Sequence, residues 1–388
     1  MRVALFSGNY NYLREGANQA LNRLARHLED NGHEVRAYSP VTATPAFEPA
    51  GTLVPVPSIA LPLRSEFRLA LGLPRAARRD VERFAPDIVH LSTPDILNLR
   101  AQSFAMRAGV PIVASQHTRF ETYLGYYGLD RARPLVEAHL RRFYRRADHV
   151  LAPTPALVAD MKALRGDDRV SLWSRGVDTA LFDPARRDLH WRRAYGIEDD
   201  ETLVLFFGRL VLEKGVAVFA SAVRELQAAG ARARPLIVGA GPAAGLLDTL
   251  PGALSTGHLE GEDLARAIAS ADLLLHPSVT ETFGNVVLEA MASGLPVIAG
   301  DAPSARTLIE DGRTGRICDP MDAGALARTA MALIERPGSR QALGADAREA
   351  SLDYSWAAAS ESVVQSYRTL LERSSPSLAH TCNERRSA

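Results

Sequence analysis

The sequence predicts an α/β protein made of two doubly wound, Rossmann-like parallel sheets facing a cleft. Three observations carry this. The 388 residues suit two domains of ordinary size. Short apolar runs alternate with helix-period segments, the mark of βα units under a parallel sheet. The alternation halts at residues 170–200, where Asp and Arg are dense, and then restarts.

The elements follow in order. Val3–Phe6 reads as a strand and Asn18–Asn31 as a helix stopped by Gly32, followed by a strand at Glu34–Tyr38. Asp87–Leu91 and Pro111–Ser115 are further strands with a helix between them, and His149–Ala152 is another after an Arg-rich helix. In the second half, strands are expected at Leu203–Phe207, Arg234–Val238, Leu273–His276 and Pro296–Ala299. Helices are expected at Gly215–Ala229, Glu262–Ser270, Phe283–Ser293 and, amphipathically, Trp356–Leu371. The expected division is 1–175, 176–354, a terminal helix at 355–372 and a polar, disordered tail at 373–388.

Apolar residues make up 46% and charged residues 23%, which is ordinary for a globular protein, and the net charge of +0 gives no support to a nucleic-acid partner. Residues 60–146 nonetheless carry fifteen arginines against eight carboxylates. This basic excess suits an anionic membrane surface, and equally a set of solvated helix faces. Cys318 and Cys382 are the only cysteines, which fits a reducing compartment. No run approaches the roughly 20 apolar residues of a spanning helix. Met1–Ser7 reads as a strand rather than a signal peptide. The expected location is cytoplasmic, peripheral at the inner face of the membrane.

Chemistry concentrates in the second half. In Ser278–Ile298, Glu281 lies in a loop and Glu289 among Val286, Val287, Leu288, Ala290 and Met291 on a helix. A carboxyl in apolar surroundings must find hydrogen bonds or a charge, and sugar hydroxyls supply such bonds. Phe283, Gly284 and Asn285 open this helix, so their free amides suit a phosphate or hydroxyls. In Phe206–Gly215, Gly208 lets the chain turn, and Arg209 and Lys214 could hold one diphosphate, as a fork and a point charge. Gly239 and Gly241 follow a strand, as in a nicotinamide-cofactor loop. Pro242 intrudes, however, and Gly245 arrives one residue late for that motif. No metal-ligand spacing is evident, and Arg209, Lys214 and helix amides can neutralise a leaving diphosphate without a cation.

These motifs resemble the Gly-Arg-x5-Lys-Gly and Glu-x7-Glu elements of retaining, nucleotide-sugar-dependent glycosyltransferases of the GT-B fold, family 4. The resemblance covers most of residues 1–372. It implies that Arg209 and Lys214 hold the donor diphosphate, Glu281 the transferred sugar and Glu289 the ribose hydroxyls. It places Gly16 near the diphosphate, Gly239 and Gly241 along the nucleotide, and His258 near the base. His117, after the strand ending at Ser115, would face the donor sugar across the cleft. The implied catalytic set is His117, Arg209, Lys214 and Glu281. Tyr123, Tyr126 and Tyr127 resemble the branch acting on lipids, though core positions suit them equally.

The implied reaction retains configuration by a front-face route through an oxocarbenium-like transition state. It needs no cofactor beyond the nucleotide-sugar co-substrate, GDP- or UDP-linked. The segment 282–294 is similar to GDP-mannose-dependent α-mannosyltransferases, which lie close to sulfoquinovosyl- and glucosyl-lipid synthases. The expected partners are a nucleotide-sugar donor and a lipid or glycan acceptor. A UDP-hexose donor, a sugar-nucleotide epimerase and a non-catalytic sugar-nucleotide binder are the alternatives.

Overall fold

A computed structural model describes residues 1–61, 64–119, 128 and 130–374. Two all-parallel sheets dominate it. The first contains β1 (Arg2–Phe6), β2 (Glu34–Ser39), β3 (Thr52–Pro55), β6 (Ile88–Leu91), β7 (Ile112–Ser115), β8 (His149–Ala152) and β9 (Val170–Leu172). Its order is β3-β2-β1-β6-β7-β8-β9. The small antiparallel hairpin β4 (Ser58–Leu61) and β5 (Arg64–Ala70) stands apart from it.

The second sheet contains β10 (Thr202–Phe207), β11 (Ala233–Val238), β12 (Leu254–Gly257), β13 (Leu273–His276), β14 (Val297–Gly300) and β15 (Arg316–Cys318), in the order β12-β11-β10-β13-β14-β15. Alternate side chains of each central strand feed opposite faces. Val3 and Leu5 enter one apolar cluster and Ala4 and Phe6 another. Leu203, Leu205 and Phe207 likewise separate from Val204 and Phe206. Burial on both faces explains why these strands read as continuous apolar runs.

Each sheet reverses its strand order once near the middle, between β1 and β6 and between β10 and β13. The crevice beyond the carboxyl ends of strands at such a reversal is where doubly wound sheets bind ligands. The loops leaving β1, β10 and β13 carry Glu15, Arg209 with Lys214, and Glu281 respectively.

The helix Trp356–Ser374 returns to the first sheet, where Ala359, Val363, Val364, Tyr367 and Leu370 pack with Leu21, Leu24 and Leu28. Helical spacing places these five on one stripe. This helix extends two residues past the expected end at 372, so Arg373 and Ser374 are helical rather than part of a disordered tail. The rest of that tail, 375–388, lies outside the described residues, as do Tyr123, Tyr126 and Tyr127. The two chain crossings touch: Val177 N–H donates to Tyr354 O at 3.0 Å, and Gly176 leaves no room for a Cβ against the backbone of Trp356.

Candidate active site

The loop after β10 turns at Gly208 (φ +127°), a conformation that glycine adopts without strain. Lys214 then enters the crevice and meets Glu281, with Nζ 2.5 Å from Oε1. His276, the last residue of β13, lies beneath the same carboxylate, Nε2 3.6 Å from Oε1. Burial alone would raise the Glu281 carboxyl. The Lys214 charge, with the His276 ring close by, outweighs it and holds the group well below the usual carboxylate range. The two loops are tied further by Thr280 Oγ1, which donates to Glu213 O (3.1 Å).

Glu289 lies one turn into the helix Asn285–Ala292. Its carboxyl has no hydrogen-bonding or ionic partner among the described residues, and burial pushes it up to about 8. An acceptor-rich group held without a partner beside a crevice is set to receive hydroxyl donors. Gly284, at φ +99°, caps the helix start, and Asn285 is its first residue. Phe283 is buried and edge-on to Tyr354 at 6.0 Å, so its side chain is a core element.

The first domain contributes from across the crevice. Gly16 opens the helix Gly16–Asp30, and a Cβ there would lie 2.6 Å from Asn285 Nδ2. Two helix N-termini therefore meet at one point, adding their partial positive charges to Arg209 and Lys214. Arg209 Nη1 lies 3.4 Å from Glu15 Oε1, and Arg14 Nε 2.8 Å from Glu260 Oε2. Thr282 Oγ1 donates to the main-chain carbonyl of His117 (3.0 Å).

The expectation that the His117 ring faces a sugar does not fit this geometry. Arg175 Nη2 donates to His117 Nδ1 (3.0 Å), so Nε2 carries the ring proton and donates it to Ser115 Oγ (2.8 Å). Ser115 Oγ also contacts His90 Nε2 (2.8 Å), and His90 Nδ1 contacts Tyr367 Oη at 2.5 Å on the terminal helix. Trp173 stands edge-on to both rings. With both nitrogens engaged and the ring buried, what His117 offers the crevice is its backbone. Burial, then the Arg175 charge and His90, hold the ring well below the ordinary imidazole value.

Gly239 and Gly241 adopt positive φ and pack against the carbonyls of Gly208 and Leu210, where a Cβ would collide. Their glycine requirement comes from one loop lying on another. His258 is exposed, 4.0 Å from Glu260 Oε2. The sequence reading passed over Glu15, His276 and Thr282. Only His276, at a strand's carboxyl end, carried a positional signal. Among the described residues no group of three or more His, Cys, Asp or Glu could hold a metal ion.

Comparison with known proteins identifies the family. Residues 14–181 match Glycosyltransferase Family 4, and residues 201–336 match Glycosyl transferases group 1. A GDP-mannose-dependent alpha-mannosyltransferase of Mycolicibacterium smegmatis is 36% identical over 97% of this chain and 99% of its own. The sulfoquinovosyl transferase SQD2 of Arabidopsis thaliana is 31% identical over 93% of this chain and 72% of its own. Among solved structures, sucrose-phosphate synthase from Thermosynechococcus elongatus superposes with a TM-score of 0.78 at 21% identity, over 96% and 99% of the two chains. The Anabaena Alr3699/HepE structure in complex with UDP and glucose gives 0.73 at 18% identity, over 95% and 99%. Two facing parallel-sheet domains and full-length identity above 30% to a mannosyltransferase lead to one conclusion: this chain belongs to glycosyltransferase family 4 and is a hexosyltransferase of the GT-B fold.

Proposed function

We propose that this enzyme transfers mannose from GDP-mannose to a hydroxyl of a lipid or glycan acceptor, with retention of configuration. The observation that carries the donor is the 36% identity to a GDP-mannose-dependent alpha-mannosyltransferase along almost the whole of both chains. In this reading Arg209, Lys214 and the paired helix N-termini neutralise the departing diphosphate. Glu281 orients the sugar, and the unpartnered carboxyl of Glu289 accepts from the ribose hydroxyls. The acceptor hydroxyl attacks the face the diphosphate leaves, and a phosphate oxygen takes its proton. The crevice side chains supply the positive charge for this themselves, so activity is expected to survive a chelator.

The 31% identity to a sulfoquinovosyl transferase favours a second reading, a UDP-linked donor. The test is transfer from labelled GDP-mannose, UDP-glucose and UDP-sulfoquinovose to a lipid extract, with the anomeric configuration of the product read by NMR. Labelled α-product from GDP-mannose alone supports the first reading. Product from a UDP-sugar alone, or an inverted anomer, overturns it.

A lipid acceptor fits the surface of the first domain. Leu135 is 77% exposed on the helix Arg133–Arg145, which also exposes Arg141, Arg142 and Arg145. Ile59 and Leu61 are exposed on the hairpin. No helix among the described residues is long and apolar enough to cross a membrane. Peripheral attachment to anionic lipid through these exposed apolar and basic residues is the proposed mode. Equal sedimentation with neutral and anionic vesicles, or binding indifferent to salt, would count against it.

A further inference from the structure

We propose that Glu15 sets the nucleotide affinity of this enzyme by competing with the donor diphosphate for Arg209. The proposal rests on the reading above that Arg209 holds the diphosphate. Glu15 is not a freely swinging surface group. It is the N-cap of the helix Gly16–Asp30, its backbone N–H donates to Asn18 Oδ1 (2.9 Å), and its Oε2 accepts from Asn9 Nδ2 (3.2 Å). The carboxylate is thereby held at the crevice with Oε1 3.4 Å from Arg209 Nη1. The preceding residue, Arg14, makes the reverse pairing with Glu260 on the loop after β12. Adjacent residues of opposite sign thus reach two loops of the second domain, each finding its opposite.

A guanidinium already facing a carboxylate offers less to a diphosphate, and the carboxylate repels the incoming phosphates. The pair is substantially exposed, 41% at Arg209 and 26% at Glu15, so the opposition is modest. Modest opposition suits a site that must also release its nucleoside diphosphate after every transfer. Removing the Glu15 charge should tighten nucleotide binding about three- to tenfold, which corresponds to roughly 0.7–1.4 kcal/mol.

The experiment is calorimetric titration of GDP and UDP into wild type, Glu15→Gln, Arg209→Ala and the double variant. Glu15→Ser accompanies them because serine keeps the helix cap, and melting curves confirm that each protein is folded. The expected result is tighter binding in Glu15→Gln and Glu15→Ser, stronger product inhibition by the nucleoside diphosphate, and no gain when Arg209 is absent. Unchanged or weaker binding in both Glu15 variants overturns the proposal, as does an equal gain in the Arg209→Ala background. If Arg209→Ala alone binds nucleotide as tightly as wild type, the diphosphate role of Arg209 fails, and with it the basis of the proposal.

Discussion

Lys214 Nζ lies 2.5 Å from Glu281 Oε1, joining the loop after β10 to the loop after β13 across the strand reversal of the second sheet. Both side chains are largely buried, at 14% and 17% exposure. The pair therefore contributes to stability, because each charge is the other's main compensation.

Lys214→Ala should leave Glu281 with His276 alone and cost on the order of 3 kcal/mol at pH 7. The Glu281 carboxyl lies below its unfolded value, so its contribution is present above the usual carboxylate range and is lost as pH falls through the folded value. The deficit of the variant should therefore shrink in acid. Urea unfolding of both proteins from pH 7 down to about pH 2 measures this; a deficit that stays constant over that range would refute it. Turnover at saturating donor should also collapse.

Glu289→Gln should separate stability from function. The wild-type carboxyl is raised from an ordinary 4.5 to about 8, so the folded state keeps a proton that the unfolded state gives up. Stability at this residue falls as pH rises from about 4.5 to about 8 and then levels. The amide does not titrate, so the variant should gain on wild type across that window, by roughly 3–5 kcal/mol at its upper end. Nucleotide affinity should fall about tenfold for a lost charge-assisted hydrogen bond. Wild type alone should release protons on binding nucleotide at pH 7, which titration in phosphate and Tris buffers detects.

Gly16→Ala places a methyl 2.6 Å from Asn285 Nδ2. The φ of Gly16 is not positive, so the backbone accepts alanine and the melting temperature should change little. The amide end of Asn285 would have to rotate out of its place between the two helix N-termini instead, and kcat/KM should fall about three- to tenfold, since small misplacements of positioning groups are expensive in rate. Asn285→Ser should restore much of it. A Gly16→Ala enzyme of normal activity would show that the close approach is dispensable.

His117→Gln should act through stability. The ring is buried with both nitrogens bonded, so the substitution should cost about 2 kcal/mol. The pH–rate profile should keep the wild-type limbs, because the ring is already neutral at working pH. Loss of a limb in the variant would restore a proton-transfer role to the imidazole.

Much of the architecture was legible because central strands of a doubly wound sheet are buried on both faces. β1, β6, β7, β8, β10, β11, β13 and β14 announced themselves as mainly apolar runs, and β2 by its alternation of polar and apolar residues. The strands passed over in the two sheets are β3, β9, β12 and β15, which are their four edges. Each is three or four residues long and partly exposed, so none carries an apolar run. The hairpin β4–β5, a separate two-stranded sheet, was also missed. At the site, Arg209, Lys214, Glu281 and Glu289 stood out because a charge amid turn glycines or apolar residues is conspicuous in one dimension.

The sequence by itself determined the periodicity of burial, and hence two parallel sheets with charged loops at their carboxyl ends. Tertiary structure alone decided the partners. Lys214 and Glu281 are 67 positions apart, and Thr282 and the His117 carbonyl 165. The His117 ring is turned inward only because Arg175, Ser115, His90 and Tyr367, drawn from four separate segments, close around it. Burial follows from local composition because the hydrophobic effect is non-directional. A hydrogen bond needs two particular atoms within about 3 Å, and that is settled only when distant segments dock.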